Sequence, residues 1–363
     1  MPKLLFIRYK KTKSIVEGGE QVSGRNLSAI EENLGPENVR VIYIHDENQD
    51  KESLFEGALY FLGNYFFGLT PRKVSAIINE LKTGGYDYLW VDRSVFGIIA
   101  KKARQAGFKG RIICFFHNME PIYFDAKLPK YLVGRRVVLN CARKNDRYCC
   151  NYADTVVALN DRDSCSLQKM YGRPADFVAP VMFKDRYAKD IYPLGNISSR
   201  SLCVFLGSYF PANTEGIEWF IREVYPYVNV SILIVGKGME KLRTSLWLTP
   251  EIEIVSDAPQ LEQYFKQADL MILPIFKGSG MKVKTCESLM FGKNIIGTDE
   301  AWEGYELDYD KAGGKCNTAA EFITRIKELQ SVPVPRFNQY CREVFLEKYS
   351  DTLAPELFKN ILS

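Results

Sequence analysis

Short apolar runs alternate with stretches of helical spacing along most of the chain. In the first half the runs fall at residues 4–7, 39–44, 86–91 (YDYLWV), 111–116 (RIICFF), 155–159 (TVVAL) and 177–180 (FVAP). Runs this short, bounded by Gly, Pro and polar clusters, read as buried parallel strands. Helical spacing lies between them, over 24–34, 71–82, 95–105, 131–150 and from Asn160 to about Gly172. The apolar stretch 54–69 reads as a core helix or hydrophobic loop. Residues 184–200 are polar, with Pro193, Gly195 and serines, and the best linker is 189–200. The pattern then restarts. Strands are expected at 202–206, 230–235, 252–255, 269–274 and 294–297, with helices near 213–224, 259–267 and 281–291 and a last helix over 345–362. The expectation is an α/β protein of two doubly wound domains, 1–188 and 201–344, each large enough for its own core.

The chain is organised around residues 274–298, PIFKGSGMKVKTCESLMFGKNIIGT. Here a strand runs into the loop Lys277-Gly278-Ser279-Gly280, then a helix that Gly292 closes, then another strand. Doubly wound sheets bind ligands at the carboxyl ends of their strands. Glycines let backbone approach a ligand, and a helix start favours anions. Lys282 and Lys284 add cations there, and Glu287 lies one turn further in, where its carboxylate can accept from hydroxyls. A ligand carrying phosphates and hydroxyls suits this set. In the first half, Gly18-Gly19-Glu20 follows the first strand, and His117-Asn118 ends the strand 111–116. A histidine in such a loop is a better site candidate than one on a helix face.

The run G-S-G-x-K-x-K-x-x-E followed by S-L-M-F-G-K-N-I-I-G-T resembles the donor-binding motif of retaining glycosyltransferases of family 4 and their close relatives. The resemblance covers most of the chain. It implies the GT-B fold, two Rossmann-like domains facing a cleft, with the final helix (345–363) packed back on the first. It implies a sugar moved from a nucleotide-diphosphate donor to a glycan or lipid-linked glycan in cell-surface polysaccharide synthesis, with no metal and no cofactor. By resemblance Lys282, Lys284 and His117 serve the chemistry. Gly19, Gly207, Ser279, Gly280 and Met281 face the donor, Glu287 holds the ribose, and the loop at Ser256-Asp257 faces the base. Two departures stand out. The family's first glutamate, eight residues before Glu287, is here Ser279. The loop after the second domain's first strand, Gly207-Ser208-Tyr209-Phe210-Pro211, carries no cation, so Lys282 or Lys284 must supply the charge for phosphate.

Charge changes the picture in one place. The 363 residues carry a net charge of +4, yet residues 101–150 hold twelve Lys/Arg against three Asp/Glu, a local +9. A basic amphipathic helix at 131–150 can lie against an anionic membrane surface. A solvated face explains the same charge run, and nucleic acid is not expected as a partner. No run is long enough to span a bilayer as a helix. The nine cysteines have no zinc spacing, and reduced thiols in the cytoplasm are expected. Asp161-x-Asp163 is read as helix capping by Asn160 or Asp161, not as a metal motif. The missing glutamate keeps a second hypothesis open, a catalytically silent GT-B subunit that binds nucleotide or glycan. A GT-B sugar-nucleotide epimerase or hydrolase would need acids and bases around the anomeric centre, where only His117 is near, and a dinucleotide dehydrogenase ranks lower still, because no G-x-G-x-x-G follows the first strand.

Overall fold

Every apolar run of the first half becomes a strand of one parallel sheet, in the order β2-β1-β3-β4-β5-β6. The strands are β1 Leu4–Lys10, β2 Val39–His45, β3 Tyr88–Val91, β4 Arg111–Phe116, β5 Thr155–Ala158 and β6 Phe177–Val178. The connecting helices are α1 Gly18–Leu34, α2 Pro71–Thr83, α3 Gly97–Gln105, α4 Glu120–Lys127, α5 Arg135–Tyr152 and α6 Asp161–Tyr171. These come from a computed structural model that describes residues 1–10, 18–45, 60–66, 68–187, 195–244, 249–256, 258 and 260–363. Residues 54–59 and 67 of the stretch 54–69, the expected linker up to Leu194, and Asp257 lie outside the described residues. By chain contacts the protein divides into two units, Met1–Met182 with Asp351–Ser363, and Phe183–Ser350.

The second unit repeats the plan in the order β12-β11-β10-β7-β8-β9, again all parallel. Its strands are β7 Ser201–Leu206, β8 Val230–Val235, β9 Ile252–Val255, β10 Leu270–Leu273, β11 Asn294–Gly297 and β12 Gly313–Lys315. Its helices are α7 Pro211–Glu223, α8 Glu262–Gln267, α9 Val283–Met290, α10 Tyr309–Ala312, α11 Ala319–Ser331 and α12 Gln339–Val344. The last helix, α13 Ala354–Leu362, belongs to the first unit. Central strands covered on both faces need apolar residues throughout, which is why β1, β4, β7 and β10 read as unbroken runs. The order in which strands are added reverses between β1 and β3 in one unit and between β7 and β10 in the other. These are the places where such sheets open a crevice.

Four expectations are corrected. The glycine pair is not in a loop: Gly18 and Gly19 are the first residues of α1. The last helix is not continuous. A wide turn at Phe345–Tyr349 ends in extended Ser350, and α13 starts afresh at Ala354. Pro355 explains the restart, since proline fits a first turn but cannot donate inside a helix. The boundary between units precedes 188, because the Phe183 N–H bonds the Tyr349 carbonyl at 2.9 Å. The apolar side of the basic helix is already used. Leu139, Cys141, Ala142, Cys149 and Cys150 of α5 are buried in the core of the first unit, where α5 packs on α3. The cap on α6 is Asn160, whose Oδ1 accepts from the Asp163 N–H at 2.8 Å.

Candidate functional site

The sequence-predicted residues fall into two groups, one per unit. In the second unit, β7 and β10 end side by side, and the loops that leave them bring Gly207 and Lys284 together. A Cβ placed on Gly207 would sit 2.9 Å from the Lys284 ammonium and equally close to the Asn213 amide. A larger residue there would have to push one of these two side chains aside. Lys284 Nζ donates to Asn213 Oδ1 at 2.7 Å and lies 4.5 Å from the centre of the Phe205 ring. Asn213 is oriented in turn by donating to the Ser208 carbonyl at 2.8 Å. Burial, followed by the neighbouring charge of Lys282, pushes the Lys284 ammonium down to about 7, with Glu287 pulling the other way.

Lys282 is placed differently. Its ammonium pairs with Glu300 Oε1 at 2.6 Å and donates to the Gly280 carbonyl at 2.8 Å. That ion pair is largely shielded, and removing one partner of a buried pair costs ~3–5 kcal/mol. The Lys284 bond to a neutral amide is worth less, ~1.5–3 kcal/mol for a bond with one charged partner. An incoming anion therefore takes Lys284 far more readily than Lys282. The start of α9 is held firmly. The Tyr305 hydroxyl donates to the Lys282 carbonyl at 2.7 Å, and the Thr285 hydroxyl to the Ala301 carbonyl at 2.7 Å. Gly280, at φ +66°, takes the left-handed turn that delivers buried Met281 to the helix start. Ser279 is half-buried in the same loop.

One turn into α9, Glu287 is buried, and burial raises its carboxyl above the ordinary value while Arg186 pulls it back. The Arg186 guanidinium donates to Glu287 Oε1 at 2.6 Å and to Glu262 Oε1 at 2.9 Å. Ser256 follows the edge strand β9, two strands beyond β7, and its hydroxyl exchanges hydrogen bonds with Glu240. It does not join the Lys284 cluster, from which two strand spacings, roughly 10 Å, separate it.

In the first unit the ends of β1, β3 and β4 gather Gly19 and His117 around residues that the sequence did not single out. Asp92, fully buried, accepts from the Ser23 hydroxyl, from Asn26 Nδ2 at 2.9 Å and from Trp90 Nε1 at 3.1 Å. His117 Nε2 lies 3.3 Å from Asp92 Oδ2. Burial alone would raise Asp92, but His117, Ser23 and Asn26 outweigh it and hold the carboxylate low. Burial, with the help of Arg93, lowers His117, so the imidazole is neutral and its Nε2–H points to Asp92. Arg93 donates to Glu20 Oε1 at 2.7 Å, and a Cβ on Gly19 would meet its guanidinium at 2.8 Å. Glu120, one residue past the His117 loop, is buried and pushed up to about 7, so it adds little fixed charge. The readable signal for this cluster was an Asp at the end of a central strand, 92, facing a polar turn of α1.

Among the described residues, no group of three or more His, Cys, Asp or Glu is placed to hold a metal ion. None of the helices among them is long and apolar enough to cross a membrane.

The paired doubly wound sheets and the anion-ready strand ends define a class, the GT-B glycosyltransferase fold. Residues 200–331, the β7-to-α11 array, match the family model described as glycosyl transferases group 1. Solved structures agree over the full length. Sucrose-phosphate synthase from Thermosynechococcus elongatus superposes with a TM-score of 0.77 at 13% identity, covering 99% of this chain and 98% of that one. The lipopolysaccharide outer core galactosyltransferase WaaB gives 0.67 at 16% identity, with 99% and 98% covered. HepE of Anabaena in complex with UDP and glucose gives 0.64 at 13% identity, with 100% and 99% covered. At such identities the likeness establishes the fold. No curated protein sequence matches the chain significantly.

Proposed function

We propose that the chain is a retaining glycosyltransferase. It moves a hexose from a nucleotide-diphosphate donor to a glycan or lipid-linked glycan, without a metal, in cell-surface polysaccharide synthesis. The observation that carries this reading is Lys284 at the β7/β10 crevice, beside Gly207 and a neutral partner. It supplies the cation that the loop after β7 lacks. The diphosphate lies there, against Lys284 and the backbone around Gly280 and Met281. Ser256, roughly 10 Å away across the sheet, is within the span of a nucleoside, with the base at that end. Glu287 takes the ribose hydroxyls, and Arg186, donating to its Oε1, holds the carboxyl group in place. The complex of HepE with UDP and glucose supports a donor of this chemical type.

In the transfer, the bond from the anomeric carbon to the diphosphate oxygen breaks. The acceptor oxygen bonds to the same face of that carbon, and its proton passes to the departing diphosphate oxygen. The protein positions the partners and stabilises the charge that develops on the leaving group. Lys284 does this best, because its ammonium gains most from an incoming negative charge. His117, neutral and with its Nε2–H held by Asp92, serves the sugar end of the reaction through Nδ1, an acceptor that carries no charge of its own.

A thermal-shift screen of UDP, GDP, ADP, CMP and their sugars tests the reading. Ligand at about 100 times its Kd stabilises by ~2.7 kcal/mol, which is readily seen. One nucleotide should raise the melting temperature, with the shift lost in Lys284→Ala while the variant melts normally without ligand. No shift with any nucleotide would overturn the donor reading and favour the silent subunit.

A further inference from the structure

The first unit carries an exposed apolar tip that the donor site does not use. It lies in the turn between α4 and α5, residues 128–134 (LPKYLVG). Tyr131 is 90% exposed and Val133 97%, with Leu132 also open to solvent. Scattered exposed apolar residues are ordinary, but consecutive ones on a protruding turn are not. This turn is built to present them. The Leu132 N–H bonds the Pro129 carbonyl and the Arg135 N–H bonds the Leu132 carbonyl, both at 3.1 Å. Leu128 at its root packs on the core. Ile122 and Val137 extend the apolar surface along the flanking helices.

The surroundings are cationic. Lys127, Lys130 and Arg136 flank the tip, and Arg143, Lys144 and Arg147 continue along the exposed side of α5. From Lys127 to Cys150 the one acid is Asp146, which is fully buried. Nearby Asp125 is already paired with Arg135. Aliphatic side chains at the apex argue against a nucleic acid, and a rim of six cations with no exposed acid from Lys127 to Cys150 fits a uniformly anionic surface. Apolar and aromatic residues ringed by cations match the boundary of an anionic bilayer, which offers acyl chains to the tip and phosphates to the rim.

We propose that the 128–134 turn inserts Tyr131, Leu132 and Val133 into the interface of an anionic lipid bilayer, with the surrounding Lys and Arg held on its headgroups. This moves the membrane contact off the apolar face of the basic helix, which is buried, onto the turn before it. It places a lipid-linked acceptor on the first unit's side, but it does not depend on the donor reading.

The full-length chain is sedimented with vesicles of phosphatidylcholine alone and of equal parts phosphatidylcholine and phosphatidylglycerol. It should be retained by the anionic vesicles at low salt and released as salt rises. Tyr131→Ser combined with Val133→Ser should weaken partition by about tenfold or more at unchanged salt dependence. Lys130→Glu should weaken it by about fivefold or more. Circular dichroism of both variants should match that of the parent, because none of these side chains is buried. Equal retention by both vesicle types, retention undiminished in the double serine variant, or no retention on anionic vesicles overturns the proposal. So does a dimer in sedimentation velocity that the serine variant abolishes, since a second copy would then cover the tip. None of these results touches the nucleotide shift, so failure of one proposal is distinguishable from failure of the other.

Discussion

At Lys284 burial pushes the ammonium of the free protein down to about 7, and this gives nucleotide binding a sign in pH. A diphosphate favours the charged ammonium, so binding above pH ~7 must take up a proton. Affinity for a nucleotide sugar should fall as pH rises past 7, by up to about tenfold per pH unit. Lys284→Arg should flatten the profile, since guanidinium stays charged throughout. Titration calorimetry from about pH 6 to about pH 9 measures this; a flat profile in the parent would refute the placement of phosphate at Lys284. Linkage to folding has the opposite direction. The unfolded lysine binds its proton up to about pH 10.4. The unfolded state therefore holds more protons between about 7 and about 10.4, and this site alone makes the free protein more stable as pH rises through that window. Both lysines of the motif were legible in the sequence as cations near a helix start. Their different fates were not, because Glu300 and Asn213 reach them from other elements.

Among the elements, α7 and the loop after β10 are bound to each other by one glycine. A Cβ on Gly216 would lie 1.8 Å from the Pro274 carbonyl oxygen, so helix and loop touch backbone to backbone. Overpacking of this kind costs ~1–3 kcal/mol. Gly216→Ala should lower the second unit's unfolding free energy by that amount, read as a lower urea midpoint at unchanged slope. It should also weaken nucleotide binding, because Asn213 is carried on α7 and Gly280 on the same loop as Pro274. A stable variant with undiminished affinity would show that the contact does not position the site. Most elements of the second unit were readable as runs and spacing: β8, β9 and β11 match the expected ranges residue for residue. The segment between β11 and residue 345 went unread although its signal was present. Thr318 and Glu321 form a capping box that opens α11, with the Thr318 side chain accepting from the Glu321 N–H and the Glu321 carboxylate from the Thr318 N–H.

For the whole molecule, the chain leaves the first unit at Met182 and returns to it at Asp351. The returning α13 lies on α1. Phe358 is fully buried against the Trp90 ring at 5.6 Å, and the Tyr88 hydroxyl donates to the Leu362 carbonyl at 2.8 Å. Phe358→Ala should destabilise the first unit by ~3–5 kcal/mol, the usual cost of emptying a buried aromatic site. In scanning calorimetry the first unit's transition should move down, whereas Leu353→Ala, in the same tail but exposed, should leave it in place. An unmoved transition in Phe358→Ala would mean that the tail is not part of that core. What the sequence by itself determined is what short-range periodicity dictates: two α/β arrays, their strands and most helices, and the glycine-and-lysine stretch that marks the second crevice. Only the tertiary structure decided which residues meet there. Strand order sets that, and strand order comes from packing between segments distant in the chain. So Asp92 with His117, Lys284 with Gly207 and Asn213, and Arg186 on Glu287 emerge only when the sheets form. The buried face of α5 follows the same logic. A basic amphipathic helix has one apolar side, and whether that side meets a core or a membrane depends on what packs against it.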